Sequence, residues 1–216
     1  VKRLKEQPIP RRVGGFGGVC GLAQYLRDHK ITHVVDATHP FAAQMSKNAV
    51  VACRQTATQL LALTRPPWRR GAGDDWQHAC DIAAAVTALS GPEKRVMLAI
   101  GRMHLAQFNR SPHHWYLLRL VDPPDVPPPL PHHHIIISRG PFTVAADAAL
   151  LQDHDIDLVV AKNAGGSGAQ AKILAARQLG LPVLMIDRPA LPPRDEVGSV
   201  DAVLDWLAHH GTERGV

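Results

Sequence analysis

The chain has 216 residues, enough for one large domain or two small ones with a real core, and no apolar run approaches the length that crosses a bilayer. A formal charge of +5 and a pI of about 9.4 favour anionic ligands, but no basic stripe interleaved with aromatics points to nucleic acid. No leader pattern opens the sequence, so no signal peptide is expected. The three dispersed cysteines fit reduced core thiols in a cytosolic protein better than a disulfide framework.

Residues 1–13, with five basic residues and two prolines, read as a loop leading into a short strand. Gly14-Gly15-Phe16-Gly17-Gly18 follows, a run that permits positive φ and close approach of a ligand to backbone. A helix is expected over 19–29, with Leu22, Ala23 and Leu26 on one face. Thr32 to Asp36 reads as a strand, and Pro40 as the opening of a helix over 41–56 that faces its core with Ala42, Met45, Ala49 and Ala52. A strand over 58–64 ends at Arg65-Pro66-Pro67-Trp68.

A helix is expected from Trp76 to Leu89, stopped by Ser90-Gly91-Pro92, then strands over 96–100 and 116–121. Asp122 to Pro131 holds six prolines in ten residues and reads as an extended connector, either between domains or across a sheet. His134 to Ser138 is a β-branched strand, followed by a helix over 143–153 and a strand over 158–161. Lys162 to Gly168 forms the turn before a helix over 169–179 ended by Gly180, and 182–186 is the next strand. Ser199 caps a last helix that buries Val200, Val203, Leu204 and Leu207. This alternation predicts an α/β protein of two Rossmann-like domains with mainly parallel sheets, divided as 1–93 and 94–216.

Three strand-to-helix turns should lie at carboxyl edges of sheets, where ligands bind in open α/β folds. Thr38 and His39 either hydrogen-bond a ligand or relay a proton, or one of them merely caps the helix, and Asp36 reads as a turn former. Arg139 either pairs with a carboxylate or phosphate or is an ordinary surface arginine. Lys162 to Gly168 is either an anion nest with an added cation or a flexible turn; it lacks the closing Lys-Ser or Lys-Thr of a P-loop. Histidine runs at 113–114, 132–134 and 209–210 put neighbours on opposite faces, and no spacing resembles a zinc site, so no metal is expected. No nucleophile elbow is present.

Taken together, RVGGFGG at 12–18, VVDATHPFA at 34–42, AIGR at 99–102, RGPF at 139–142, AKNAGG at 161–166 and AARQLGLPVLMIDRP at 175–189 resemble the precorrin-6A reductases of cobalamin biosynthesis. The resemblance implies two Rossmann-like domains flanking a ligand cleft, NADPH as hydride donor, and a metal-free polycarboxylate tetrapyrrole reduced at one ring-D double bond. It implies that Gly14, Gly15, Phe16 and Gly17, with Thr38 and His39, serve the cofactor, His39 and Thr38 being the catalytic candidates. Pro40, Phe41, Ala42, Arg139, Gly140, Lys162, Asn163, Gly165 and Gly166 would serve the substrate. The family normally opens with a strand, a glycine loop that cradles the cofactor pyrophosphate, a helix and a second strand. These the sequence as given does not show, so its first domain is expected to be N-terminally truncated. The competing readings are a tetrapyrrole-binding protein without turnover and a reductase of another polyanion. No nucleic acid, membrane or partner chain is called for, and a monomer is the default.

Overall fold

The structure, a computed structural model, describes residues 8–211. In chain order its elements are α1 (Gly18–Asp28), β1 (His33–Asp36), α2 (Ala43–Thr56), β2 (Gln59–Leu63), β3 (Trp76–Ala79), α3 (Ile82–Ala88), β4 (Arg95–Ala99), a 3-10 segment (Arg102–Arg110), β5 (Trp115–Leu120), β6 (His133–Ile137), α4 (Val144–Asp153), β7 (Leu158–Lys162), α5 (Ala171–Leu179), β8 (Val183–Ile186), β9 (Glu196–Val197) and α6 (Val200–Gly211). They form a three-stranded sheet, β1-β2-β9, and a six-stranded sheet, β3-β8-β7-β4-β5-β6. Every strand pairing among the described residues is parallel, as expected for an α/β protein with Rossmann-like units.

The chain does not divide at residue 93. Residues 67–188 form one compact unit, the inserted unit, and the segments on either side form the other, the split unit. Two pairings cause this. β3 pairs with β8 inside the six-stranded sheet, and β9 returns to pair with β2. The expected helix from Trp76 to Leu89 is therefore a strand followed by a short helix. Trp76 and Ala79 are buried while Gln77 and His78 are exposed, and the Asp81 carboxylate accepts from the Ala84 N–H at 2.7 Å to start α3. The cap at Asp81 was the missed signal, together with the aromatic that opens β3.

In the split unit, α1 and α2 pack Leu22, Ala23 and Leu26 against Ala49, Ala52 and Cys53. Ser46 and Val50 join the buried face of α2, while Ala42 and Met45 sit at its margin. Pro40 does not open that helix. Residues 40–41 form a tight turn closed by Ala42 N–H to His39 O at 2.7 Å, and α2 starts at Ala43. Residues 8–13 form no strand, and the rest of the expected opening loop lies outside the described residues. On α6, Val203 is buried and Ser199 caps as expected, at 3.2 Å from the Ala202 N–H, but Val200 and Leu204 are exposed and Leu207 is half-buried. Of the cysteines, Cys53 is buried, while Cys20 and Cys80 are exposed.

In the inserted unit the proline-rich connector joins β5 to its parallel neighbour β6 in one sheet, anchored by buried Leu130. A parallel connection usually needs a helix; here extended proline geometry spans it. Asp74 accepts both arms of Arg177, at 2.8 and 2.7 Å, and the Gly71 N–H at 2.7 Å, which ties the loop before β3 to α5. Beneath α4 and α5 lies a buried charged group. Arg119 pairs with Asp147 and stacks its guanidinium 4.1 Å from the Phe142 ring. Lys172 donates to Ala169 O and lies 5.2 Å from the Trp68 ring.

Two packing features are testable. Glycine in a helix normally costs stability, yet a Cβ at Gly21 would sit 1.7 Å from the Phe16 carbonyl oxygen. Gly21→Ala is expected to destabilise by about 1–3 kcal/mol in urea unfolding instead of stabilising. Burial, reinforced by Arg119, lowers the Lys172 pKa to about 8 against the partial opposition of Asp147. An unfolded lysine titrates near 10.5, so folding sheds a proton between about pH 8 and 10.5, and this group's contribution to stability rises with pH across that window. Below pH 8 the buried charge is a constant penalty. Lys172→Met should therefore raise Tm at pH 7, and its advantage over the parent should shrink by pH 10.

Candidate functional site

The carboxyl edge of the three-stranded sheet is built around Asp36, the last residue of β1. Its side chain is 3% exposed, so its charge must be met inside the protein. Oδ1 accepts from the Thr38 N–H at 3.1 Å and the Thr38 hydroxyl at 2.6 Å; Oδ2 accepts from the Ser46 hydroxyl at 2.6 Å and from the Arg194 guanidinium. Burial alone would raise this carboxyl's pKa, but the bonds from Ser46 and Thr38 and the Arg194 charge outweigh it and hold it below the ordinary aspartate value. Cys53, on the same helix as Ser46, is pushed up to about 11 by burial and by the Asp36 charge, so it is an inert thiol. Asp36 is the turn former that the sequence suggests.

Thr38 spends its proton on Asp36, so toward a ligand its hydroxyl oxygen is an acceptor. His39 Nδ1 accepts the Phe41 N–H at 3.2 Å, which selects the neutral tautomer with its proton on Nε2. The two neighbours thus present opposite polarities. A cavity of about 300 Å³ opens here, lined by residues 37–40 and by Leu63, Thr64 and Arg65 at the end of β2. Phe41 and Ala42 form the turn beside it rather than its lining. Thr64 and Arg65 were missed as site residues, although a strand ending in Thr-Arg-Pro beside β1 carries them to the same edge.

Gly14 and Gly17 adopt φ of 116° and 80°, and a side-chain carbon on Gly14, Gly15 or Gly17 would meet nothing within 4 Å. Glycine is needed there for conformation, and the loop backbone faces open space. Arg12 pins it, donating to Gly14 O at 3.2 Å and Gly15 O at 2.8 Å, with its guanidinium 4.4 Å from the Phe16 ring. Phe16 in turn packs edge-on against Tyr25 at 5.1 Å. A phosphate-bearing dinucleotide fits this edge: an open glycine loop with a cation, an acceptor and a donor at a neighbouring strand end, and Arg65.

The remaining expected residues lie in the inserted unit. Arg139 follows β6, is about half exposed, and pairs with Asp122 after β5 while its Nε donates to Val121 O at 3.3 Å. Gly140 joins it through a cis bond to Pro141. Lys162 ends β7, half-buried, with its pKa lowered by burial; its charge, after burial, also lowers that of His104, which follows β4. Asn163 is buried and is used internally. Its amide pairs with the Trp68 backbone, accepting its N–H at 2.8 Å and donating to its carbonyl at 3.0 Å. The Trp68 indole donates to Gly166 O at 2.7 Å, and Arg188 donates to Asn163 O at 2.9 Å and Ala164 O at 3.1 Å. Gly165 is buried as well, so the turn is a clamped loop and not a flexible one. Trp68 and Arg188 carried no sequence signal for this role.

His114 is buried, accepting the Lys94 N–H at 3.1 Å and bonding Leu89 O at 2.7 Å, with its pKa lowered by burial. Among the described residues no group of three histidine, cysteine or acidic side chains is placed to hold a metal ion, and no helix is long and apolar enough to cross a membrane.

Residues 1–208 match the family described as Precorrin-6x reductase CbiJ/CobK. The chain is 59% identical over 211 residues to the precorrin-6A reductase of Rhodobacter capsulatus, covering 97% of this chain and 84% of that one. It is 42% identical over 200 residues to the precorrin-6A reductase of Mycobacterium tuberculosis, covering 92% and 81%, and 30% identical over 209 residues to the cobalt-precorrin-6A reductase of Methanothermobacter thermautotrophicus, covering 91% and 68%. A solved structure titled CobK precorrin-6A reductase superposes with a TM-score of 0.93 at 58% identity, covering 97% of this chain and 86% of that one. The motifs along the strand edges, the two parallel sheets and these likenesses have one reading: the chain belongs to the precorrin-6x reductase family, a family of oxidoreductases.

Proposed function

We propose that this protein reduces precorrin-6A in cobalamin biosynthesis with NADPH as reductant. The observation that carries the cofactor assignment is the paired polarity at the end of β1, where Thr38 offers an acceptor and His39 Nε2 a proton beside a cavity of about 300 Å³. NADPH, when bound, supplies the hydride. The chain's own residues do the rest. The backbone of Gly14 to Gly17 and the charge of Arg12 receive the phosphate-bearing part of the dinucleotide, and Arg65 adds a second cation at the β2 end. Thr38 orients a donor group of the nicotinamide end, the neutral His39 donates a hydrogen bond through Nε2, and the proton that reduction of a carbon–carbon double bond consumes along with the hydride comes from solvent water. Pro40, Phe41 and Ala42 shape the turn next to it.

A polycarboxylate macrocycle is matched by the inserted unit's loops, where Arg139 and Lys162 supply cations at the ends of β6 and β7. Gly140 keeps the backbone beside Arg139 open, since a side chain there would contact little but the Phe142 ring at 3.5 Å. Asn163, Gly165 and Gly166 serve the substrate indirectly, by fixing the loop that follows Lys162.

The deciding experiment follows NADPH absorbance at 340 nm on addition of precorrin-6A. Loss of absorbance with formation of a dihydro product is expected; tetrapyrrole binding without NADPH oxidation would overturn the reading. Arg139→Ala should raise the KM for the tetrapyrrole about tenfold, the loss of one exposed charge-assisted contact, and leave NADPH affinity within about twofold. Equal losses for both ligands would remove Arg139 from the substrate site.

A further inference from the structure

Arg12 stands just before the glycine loop that opens α1. It is exposed, its guanidinium lies 4.4 Å from the Phe16 ring, and it pairs with no carboxylate among the described residues, whereas the arginines at 119, 139, 177 and 194 each pair with one. Arg12 draws two carbonyls to itself, Gly14 O at 3.2 Å and Gly15 O at 2.8 Å, and further N–H groups of its fork are left over. In a planar trans peptide the N–H points opposite to the C=O, so the N–H groups of Gly15 and Phe16 face away from the guanidinium. No backbone group of the described residues accepts them. A phosphate held by those N–H groups lies on the far side of the loop from Arg12. Backbone and cation therefore cannot share one phosphate; they mark two anion positions, one served by neutral donors and one by a full charge.

We infer that Arg12 is the residue that selects NADPH over NADH: it meets the phosphate monoester on the adenosine ribose, while the N–H groups on the other side of the loop meet the pyrophosphate. This rests on the proposed NADPH reading and deepens it. One ligand fills both positions only if it carries two separate phosphate groups, and NADPH does. Each phosphoryl group of its pyrophosphate carries a single charge, which suits neutral N–H donors at a glycine loop and helix start. The ribose monoester carries close to two charges near neutrality and calls for a cation with a fork of donors. NADH has the first group and lacks the second, so it would leave the exposed guanidinium with nothing to meet.

The test is calorimetric titration with NADP⁺ and NAD⁺, and with the fragments adenosine 2′,5′-bisphosphate and AMP. The parent protein should bind NADP⁺ about 10- to 100-fold more tightly than NAD⁺, the worth of charge-assisted hydrogen bonds, and prefer the bisphosphate to AMP by a similar factor. Arg12→Met should bring both ratios to within about threefold of unity, by weakening NADP⁺ and the bisphosphate while NAD⁺ and AMP hold. Arg12→Lys, which keeps the charge and loses the fork, should show an intermediate preference. An arginine that only braced the loop would weaken all four ligands together, so equal losses that leave the ratios at the parent's values overturn the selecting role. A parent that binds NAD⁺ as tightly as NADP⁺ overturns it as well. Circular dichroism and Tm establish that each variant is folded; if Arg12→Met is not, the ratios of Arg12→Lys carry the decision. A parent that binds neither NADP⁺ nor NAD⁺ overturns the cofactor reading, and this inference with it.

Discussion

A carboxylate placed at the end of a strand and closed off from water has to be matched by donors, and the split unit is arranged to match Asp36. The donors arrive from three directions: the turn just after β1, the first turns of α2, and a segment that returns after the whole inserted unit has intervened. That last contribution ties site geometry to sheet geometry. Asp195 O accepts the Ala62 N–H at 2.9 Å and Glu196 registers with Ala62, so the backbone flanking Arg194 is already fixed as the third strand of the sheet. The two-residue strand places one guanidinium, which meets the Asp36 carboxylate and, through Nε at 3.0 Å, that of Glu196.

The inserted unit solves a similar problem with neutral groups. Its loop after β7 would be mobile on composition alone, with glycines at 165, 166 and 168. Instead its carbonyls are consumed by Trp68 and Arg188, and its one buried amide is satisfied by the Trp68 backbone. The adjoining Lys172 holds Ala169 O from below. Such a loop is already in shape, and a ligand that met it would cost it little ordering entropy. Phe142, in the loop after β6, rests on Arg119, which shares its buried pair with the charge that acts on Lys172. Both edge loops therefore stand on one charged foundation.

Much of this was legible in the sequence where the signal is local. The periodicity of Leu22, Ala23 and Leu26, the cap at Ser199, the stop at Gly180 and the alternation of strands and helices all appear in the structure as read. The failures are of two kinds. Some local signals competed: Trp76 to Leu89 has helical composition, but its first four residues gain more as an edge strand beside β8, and Pro40 serves a turn instead of the first helical position. Others had no local signal at all. Nothing around residue 194 marks an arginine bound for Asp36, and nothing in Asn163 distinguishes an amide that reads a ligand from one that clamps Trp68. The turn at Thr38 and His39 was recognisable; the guanidinium that meets the Asp36 carboxylate beside it was not, because it comes from the far end of the chain.

The split arrangement has a consequence for biosynthesis. The inserted unit is one uninterrupted run of chain, from 67 to 188, and its six strands are all made before the return segment leaves the ribosome. At roughly 5–20 residues per second, β1 and β2 wait several seconds before β9 and Arg194 exist to join their sheet. During that interval the Asp36 carboxylate has no guanidinium to face and the outer edge of β2 has no partner strand. Until the return segment arrives, the nascent split unit thus carries an unpaired strand edge open to mispairing and chaperone capture.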